Sequence, residues 1–239
     1  MCVSGAFARA RVLEPVAKAF GRIPRGAPVG CTSPGNGQTG PVVEFIKNPG
    51  SQTELRVALR SLGERDADYV TLVLLSRLLD DGMSTRLHRR ICDEKGLAYE
   101  ISAGLDTYDD VGLLDVAASV APHKLVDVVA EILRLLKSLR DRAIDPEELD
   151  KAKRRYRWDL EATEDDIEGM AGWFGATELF HPPEPIEDRI RRIEAVTAED
   201  LVRVADRVVA AKGLNVTVLG EVGRRDRARA ERAVERTLR

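Results

Sequence analysis

Gly82-Met83-Ser84-Thr85-Arg86-Leu87, running on to Lys95-Gly96-Leu97-Ala98-Tyr99, is the stretch on which the fold turns. A helix is predicted over about 84–95, and a strand follows over about 98–107. A partner strand at 111–120 lies across a polar, Asp-containing turn. Upstream, Asp66 is placed to cap a helix reaching 79, with Tyr69, Leu72, Val73 and Leu75 at helical spacing. Before it, strands at 42–47 and 52–62 flank an Asn48-Pro49-Gly50 turn. In the second of these, Leu55, Val57 and Leu59 alternate with Glu54, Arg56 and Arg60, so one face is buried and the other wet.

Downstream the pattern turns helical. A helix is predicted over 122–140. Asp145-Pro146-Glu147-Glu148 then opens another, with Asp as cap and Pro in the first turn. It is expected to continue past Trp158 toward Phe180, with Gly169 and Gly172 as weak points. Thr197-Ala198-Glu199-Asp200 resembles a capping box for a helix ending near 211. A strand at 214–219, a turn at Gly220 and a helical run to Leu238 close the chain. Strands early, helices late and one closing strand argue for an α+β fold: an antiparallel sheet covered on one face by helices.

The N-terminus repeats the closing grammar, since Val3-Ser4-Gly5 reads as a strand end and a turn before an amphipathic run through Phe20. Residues 24–41 are rich in Gly, Pro, Ser and Thr and read as a linker. Gly35-Asn36-Gly37 within it has no following Lys-Ser/Thr and reads as a plain turn, not a phosphate loop. Three parts follow: 1–23, the linker 24–41 and a main domain 42–239.

With 37 basic and 40 acidic residues the net charge is −3, which gives no global field favouring nucleic acid or an anionic membrane. The C-terminal arginines are interrupted by Asp226, Glu231 and Glu235 and read as a solvated helix face. Cys2, Cys31 and Cys92 form no C-x-x-C pair and fit a reducing compartment. No signal-peptide pattern or membrane-length apolar run is visible, so a cytoplasmic location is expected.

The opening stretch resembles the signature of the second half of the pitrilysin/insulinase family of zinc metallopeptidases. In that family a Gly-x-Ser-[Ser/Thr]-Arg-Leu turn starts a helix that ends in Arg-x-x-x-Gly-Leu-Ala-Tyr. Further stretches are similar to family segments in the family's order. They are Tyr108-Asp109-Asp110-Val111-Gly112-Leu113-Leu114, the run from Asp145 to Lys153, the run from Ile193 to Leu201, and Phe20-Gly21-Arg22-Ile23-Pro24. The resemblance implies two homologous halves, so residues 1–23 look like the end of a preceding half.

The family's His-x-x-Glu-His is absent, and His88, His123 and His181 do not substitute for it. The resemblance therefore implies no catalytic or metal-binding residues in this chain, with zinc held by a partner half. Tyr99 matches the family tyrosine that contacts substrate near the scissile bond; the alternative is simple packing at a helix–strand junction. Cys92 stands where the family has its arginine, and a thiol cannot replace a five-donor guanidinium. Arg86 lies nearby and is counted with Tyr99 and Cys92 among the substrate-binding positions the resemblance implies, while Arg90 falls about 200° around an α-helix from Cys92. His88 and Cys92, four apart on the helix, share a face on which a metal or an activated thiol could form, but Asp93 and Glu94 point to other faces, so their placement reads as coincidental. Trp158, Trp173 and Phe174 read as core or interface.

The expectation is a non-catalytic half of a pitrilysin-like zinc peptidase, inactive alone, that helps enclose a peptide. Its partner would be a homologous zinc-bearing subunit or a second copy, with no nucleic acid and no membrane. Alternatives are a structural or assembly subunit, which Cys92 favours, and a fragment of a full zinc peptidase.

Overall fold

The computed structural model describes residues 1–27, 30, 32, 34–35, 37–178 and 182–237. Cys31, Asn36, Phe180, His181 and Leu238 lie outside the described residues.

Five strands form one sheet: β1 (Val42–Ile46), β2 (Thr53–Ser61), β3 (Glu100–Thr107), β4 (Gly112–Val120) and β5 (Leu214–Leu219), in the order β1-β5-β2-β4-β3. Neighbours run antiparallel except the edge pair β1–β5, which is parallel. A parallel pair needs a long crossover, and the whole helical layer between β1 and β5 supplies it. The expected alternation holds. Leu55, Val57 and Leu59 of β2, Leu114, Val116 and Val120 of β4, and Leu214, Val216 and Val218 of β5 are buried on one face. The opposite face carries Glu54, Arg56, Asp115, Ser119 and Thr217.

The helices cover the first face. The longest of those on the sheet, α3 (Leu125–Asp141), buries Leu125, Val128, Val129, Ile132, Leu133, Leu136 and Leu139 at three- and four-residue steps. Around it stand α2 (Tyr69–Leu79), α4 (Pro146–Asp165), α5 (Ile167–Thr177), α6 (Ile186–Ala195), α7 (Ala198–Val208) and α8 (Arg224–Thr237). The Thr197–Asp200 capping box forms as the sequence implies, and Asp145 accepts from the Glu147 N–H at 3.0 Å.

Three expectations need correction. The helix expected to run from 146 toward Phe180 breaks at Asp166, not at a glycine. Asp166 accepts the Glu168 N–H at 3.0 Å and starts α5, so a local side-chain cap outcompetes the continuing helix. Asp66 is not the cap of α2: it accepts from the Asp68 N–H at 2.9 Å, and the helix starts after Asp68. Residues 3–5 form no strand, because no neighbour pairs with them; α1 (Arg9–Phe20) follows and buries no residue. Trp158, read as core or interface, is 60% exposed and so lies outside the core, which leaves the interface reading.

Candidate functional site

The Gly82–Tyr99 stretch explains itself residue by residue. Gly82 takes φ +97°, and the Arg155 guanidinium lies 3.1 Å from where a Cβ would stand. Thr85 Oγ1 donates to the Gly82 carbonyl at 2.6 Å, closing the turn. Gly82→Ala is expected to cost about 1–2 kcal/mol, read by urea denaturation, and an unchanged midpoint would refute the strain account. Arg86 then grips α4: its Nε and Nη2 donate to the two Glu148 carboxylate oxygens at 2.7 and 2.6 Å. This fork-to-fork pair uses two of the five Arg86 donors to fix the helix start.

The segment His88–Glu94 is wound as a π-helix, where the hydrogen bonds run i→i+5. Side chains five apart therefore meet: His88 Nδ1 lies 3.9 Å from Asp93, and Arg89 lies 3.5 Å from Glu94. The α-helical expectation had sent Asp93 to another face than His88; the winding corrects it. Even so, among the described residues no three metal-ligating side chains converge. Cys92 is half-buried against the core, where burial, with a smaller contribution from Asp93, pushes its thiol pKa up. That is the opposite of what an activated thiol needs. Arg90 donates to Glu131 at 2.7 Å and Glu94 at 2.6 Å, so it is not available in place of the missing arginine either.

The helix ends in a pinned loop. The Gly96 and Leu97 N–H groups donate back to the Cys92 and Ile91 carbonyls, and Lys124 Nζ donates to the Gly96 carbonyl at 2.6 Å. Lys95 Nζ donates to Glu131 at 2.7 Å. Tyr99 projects from this loop 96% exposed, one residue before β3. The structure thus brings Cys92 and Tyr99 onto one helix–loop unit, with no bond to the phenol among the described residues.

Glu131 is the residue that sequence reasoning missed. It sits in α3 2% exposed and accepts from Arg90, Lys95 and Arg134. Burial alone would raise its pKa; the bonds from Lys95 and Arg90 and the Arg134 charge overcome this and hold it at about 2. A signal existed, since an acid stands beside Ile132 on the apolar stripe of α3. A highly charged cleft of about 1020 Å³ opens here, lined by Arg77, Arg86, Arg90, Glu131, Glu148 and Arg155 among others.

One further contact bears on peptide binding. The Ala103 N–H of β3 faces away from β4 and is taken by the Asp80 carboxylate at 2.9 Å. The β3 edge is therefore blocked near its middle. No described contact caps the outer edge of β1, at the far side of the sheet.

Comparison with known proteins places these features. The profile of the family described as Peptidase M16 inactive domain matches residues 1–156. An uncharacterised zinc protease of Mycobacterium tuberculosis is 29% identical over 184 residues, covering 77% of this chain and 42% of that protein. An uncharacterised zinc protease of Mycobacterium leprae is 29% identical over 213 residues, covering 89% of this chain and 44% of that protein. The chain thus spans less than half the length of these relatives. A protease structure from Helicobacter pylori superposes with TM-score 0.81 at 21% identity, over 91% of this chain and 54% of that one. The peptidase M16 inactive domain from Pseudomonas fluorescens gives TM-score 0.75 at 23% identity, over 91% and 52%. Among the described residues, no helix is long and apolar enough to cross a membrane.

Proposed function

This chain belongs to the peptidase M16 family through its inactive domain, and we propose that it serves as the non-catalytic half of a zinc peptidase, closing over a peptide that a homologous zinc-bearing half holds and cleaves. The observation that carries this reading is Tyr99, a fully presented phenol on a loop fastened by four hydrogen bonds. An exposed donor beside a fastened loop suits a peptide carbonyl or a developing oxyanion supplied from outside the chain. The relatives named zinc proteases are more than twice the matched length, which leaves room for a zinc-bearing half.

The capped β3 edge refines the reading. Tyr99 stands at the β3 side, while the open edge β1 lies four strands away, roughly 19 Å at the usual strand spacing. A peptide touching Tyr99 therefore takes its strand pairing from the partner's sheet, and this chain contributes side chains to it.

The test is peptide turnover by the chain assembled with a zinc-bearing half, compared with each part alone. Cleavage is expected only from the assembly. Tyr99→Phe is expected to lower turnover about ten-fold with assembly unchanged, as befits the loss of one donor to developing charge. Cys92→Arg is expected to raise it about ten-fold or more, by returning a charge-assisted donor. A specific observation favours the second reading, a scaffold that kept the fold without the peptidase role: Cys92 is packed against the core where the family presents a cation. Turnover indifferent to both substitutions in an assembled complex selects the scaffold.

A further inference from the structure

Read along the chain, the arginines of α8 are interrupted by acids; wound into a helix, they are not. Arg225, Arg229, Arg232 and Arg236 stand at steps of four, three and four residues, so they fall within about 60° of one another on the helix. Asp226, Glu231 and Glu235 lie about 60° or more outside that stripe. The buried Ala230 and Val234 are on the far side, packed on α3, and the Arg227 guanidinium lies 5.1 Å from the centre of the Phe45 ring on β1. The four arginines thus form the outermost line of the helix, all exposed, over roughly 16 Å.

This surplus is local. Arginines on the other helices mostly face carboxylates, as Arg77, Arg157, Arg203 and Arg207 do. On α8 Asp226 reaches Arg229 at 3.2 Å, while among the described residues no carboxylate pairs with Arg225, Arg232 or Arg236. α8 holds six arginines and three acids, net +3 in a chain of −3, so the rest of the molecule carries −6. Part of that opposite charge is on the open sheet face, where Glu44, Glu54, Glu100, Asp106 and Asp115 outnumber Arg56 and Arg60. A hollow of about 330 Å³ opens beside the stripe, between Val126 at the start of α3 and Arg229, Arg232 and Arg236.

We propose that α8 docks this protein on an anionic membrane surface, its arginine stripe lying across lipid phosphates and one phosphate entering the hollow. Guanidinium donors pair with phosphate oxygens two at a time. Each basic side chain held near such a surface adds to the binding. The apolar face of α8 is used inside the molecule, so the contact is electrostatic and does not insert. A nucleic-acid backbone offers the same phosphates but fits less well. α8 lies along α3 and β1 and does not stand out to enter a groove, and it carries no aromatic side chain for a base to stack on. The charge asymmetry turns the acidic sheet face away from the membrane. α8 lies beside β1 and Tyr99 beside β3, at opposite edges of the sheet, so docking leaves Tyr99 uncovered.

The test sediments the full chain with phosphatidylcholine vesicles, with and without phosphatidylglycerol, at low and at high salt. Binding about ten-fold or more tighter to the anionic vesicles is expected, and high salt releases it. Arg232→Gln with Arg236→Gln is expected to lower that binding about ten-fold or more. Arg142→Gln with Arg154→Gln removes the same charge from exposed positions off the stripe and is expected to leave binding within about two-fold. Binding is read without peptide turnover, so its result is independent of the peptidase reading. Equal binding to neutral vesicles, equal loss in the two double variants, or no binding to either vesicle overturns membrane docking. Tighter, stripe-dependent binding to a short DNA duplex at the same salt overturns it as well and reassigns the stripe to nucleic acid.

Discussion

Replacing Glu131 with glutamine is expected to destabilise the fold at pH 7 by about 3 kcal/mol and to loosen the loop that presents Tyr99. The carboxylate is 2% exposed and ties Arg90 and Lys95, at the two ends of that loop's entry, to α3. Its pKa is held at about 2 against an ordinary 4.5, which linkage converts to about 3 kcal/mol. The sign follows from the depression: the contribution is complete above pH 4.5 and disappears as pH falls toward 2. The cations themselves are partly exposed and regain water when the acid is lost, which keeps the loss below that of a fully buried pair. Urea denaturation at several pH values checks both parts. Wild type is expected to weaken between pH 4.5 and 2 by this amount beyond Glu131→Gln. Parallel pH curves for the two proteins would remove Glu131 from its assigned role.

Glu184→Ala is expected to cost more, about 3–5 kcal/mol. Its carboxylate receives Arg189 Nε at 2.6 Å, and Arg189 is itself 7% exposed, reached otherwise by the Tyr156 hydroxyl at 3.2 Å and the Trp173 ring at 5.2 Å. Removing the acid strands a cation in a dry site, which is far worse than removing both charges. The double variant Glu184→Ala with Arg189→Met is therefore expected to recover most of the loss. A single variant within 1 kcal/mol of wild type would show that water already reaches the guanidinium.

Much of this was readable in the chain. The strand pair β3–β4, the alternation in β2 and the Thr197 capping box all rest on local pattern, and they stand where the residues put them. The α4–α5 break was missed because a glycine is a louder signal than an aspartate whose side chain caps the next helix. The β1–β5 parallel pairing was out of reach, since it joins residues some 170 positions apart. The site was less legible than the fold. A helical wheel drawn at α spacing cannot bring Asp93 to His88, and only the π winding does. Arg86 carried a family-like position and an unforeseen partner, Glu148. Tyr99 stands at the helix–strand junction read from the sequence, and its 96% exposure is not the packing offered there as the alternative to a substrate contact.

The Asp80 carboxylate on the Ala103 N–H has a consequence for how copies of this protein can meet. Sheets grow into fibrils only when each molecule has two usable edges, one to receive and one to offer. Here one side is occupied by a side-chain carboxylate, and among the described residues no strand pairs with the outer side of β1. The molecule is in effect monovalent for strand pairing. Two copies that joined through β1 would satisfy each other by two-fold symmetry and leave no site for a third. Accidental association through the backbone is expected to stop at a pair, with Asp80 guarding the middle of the second edge.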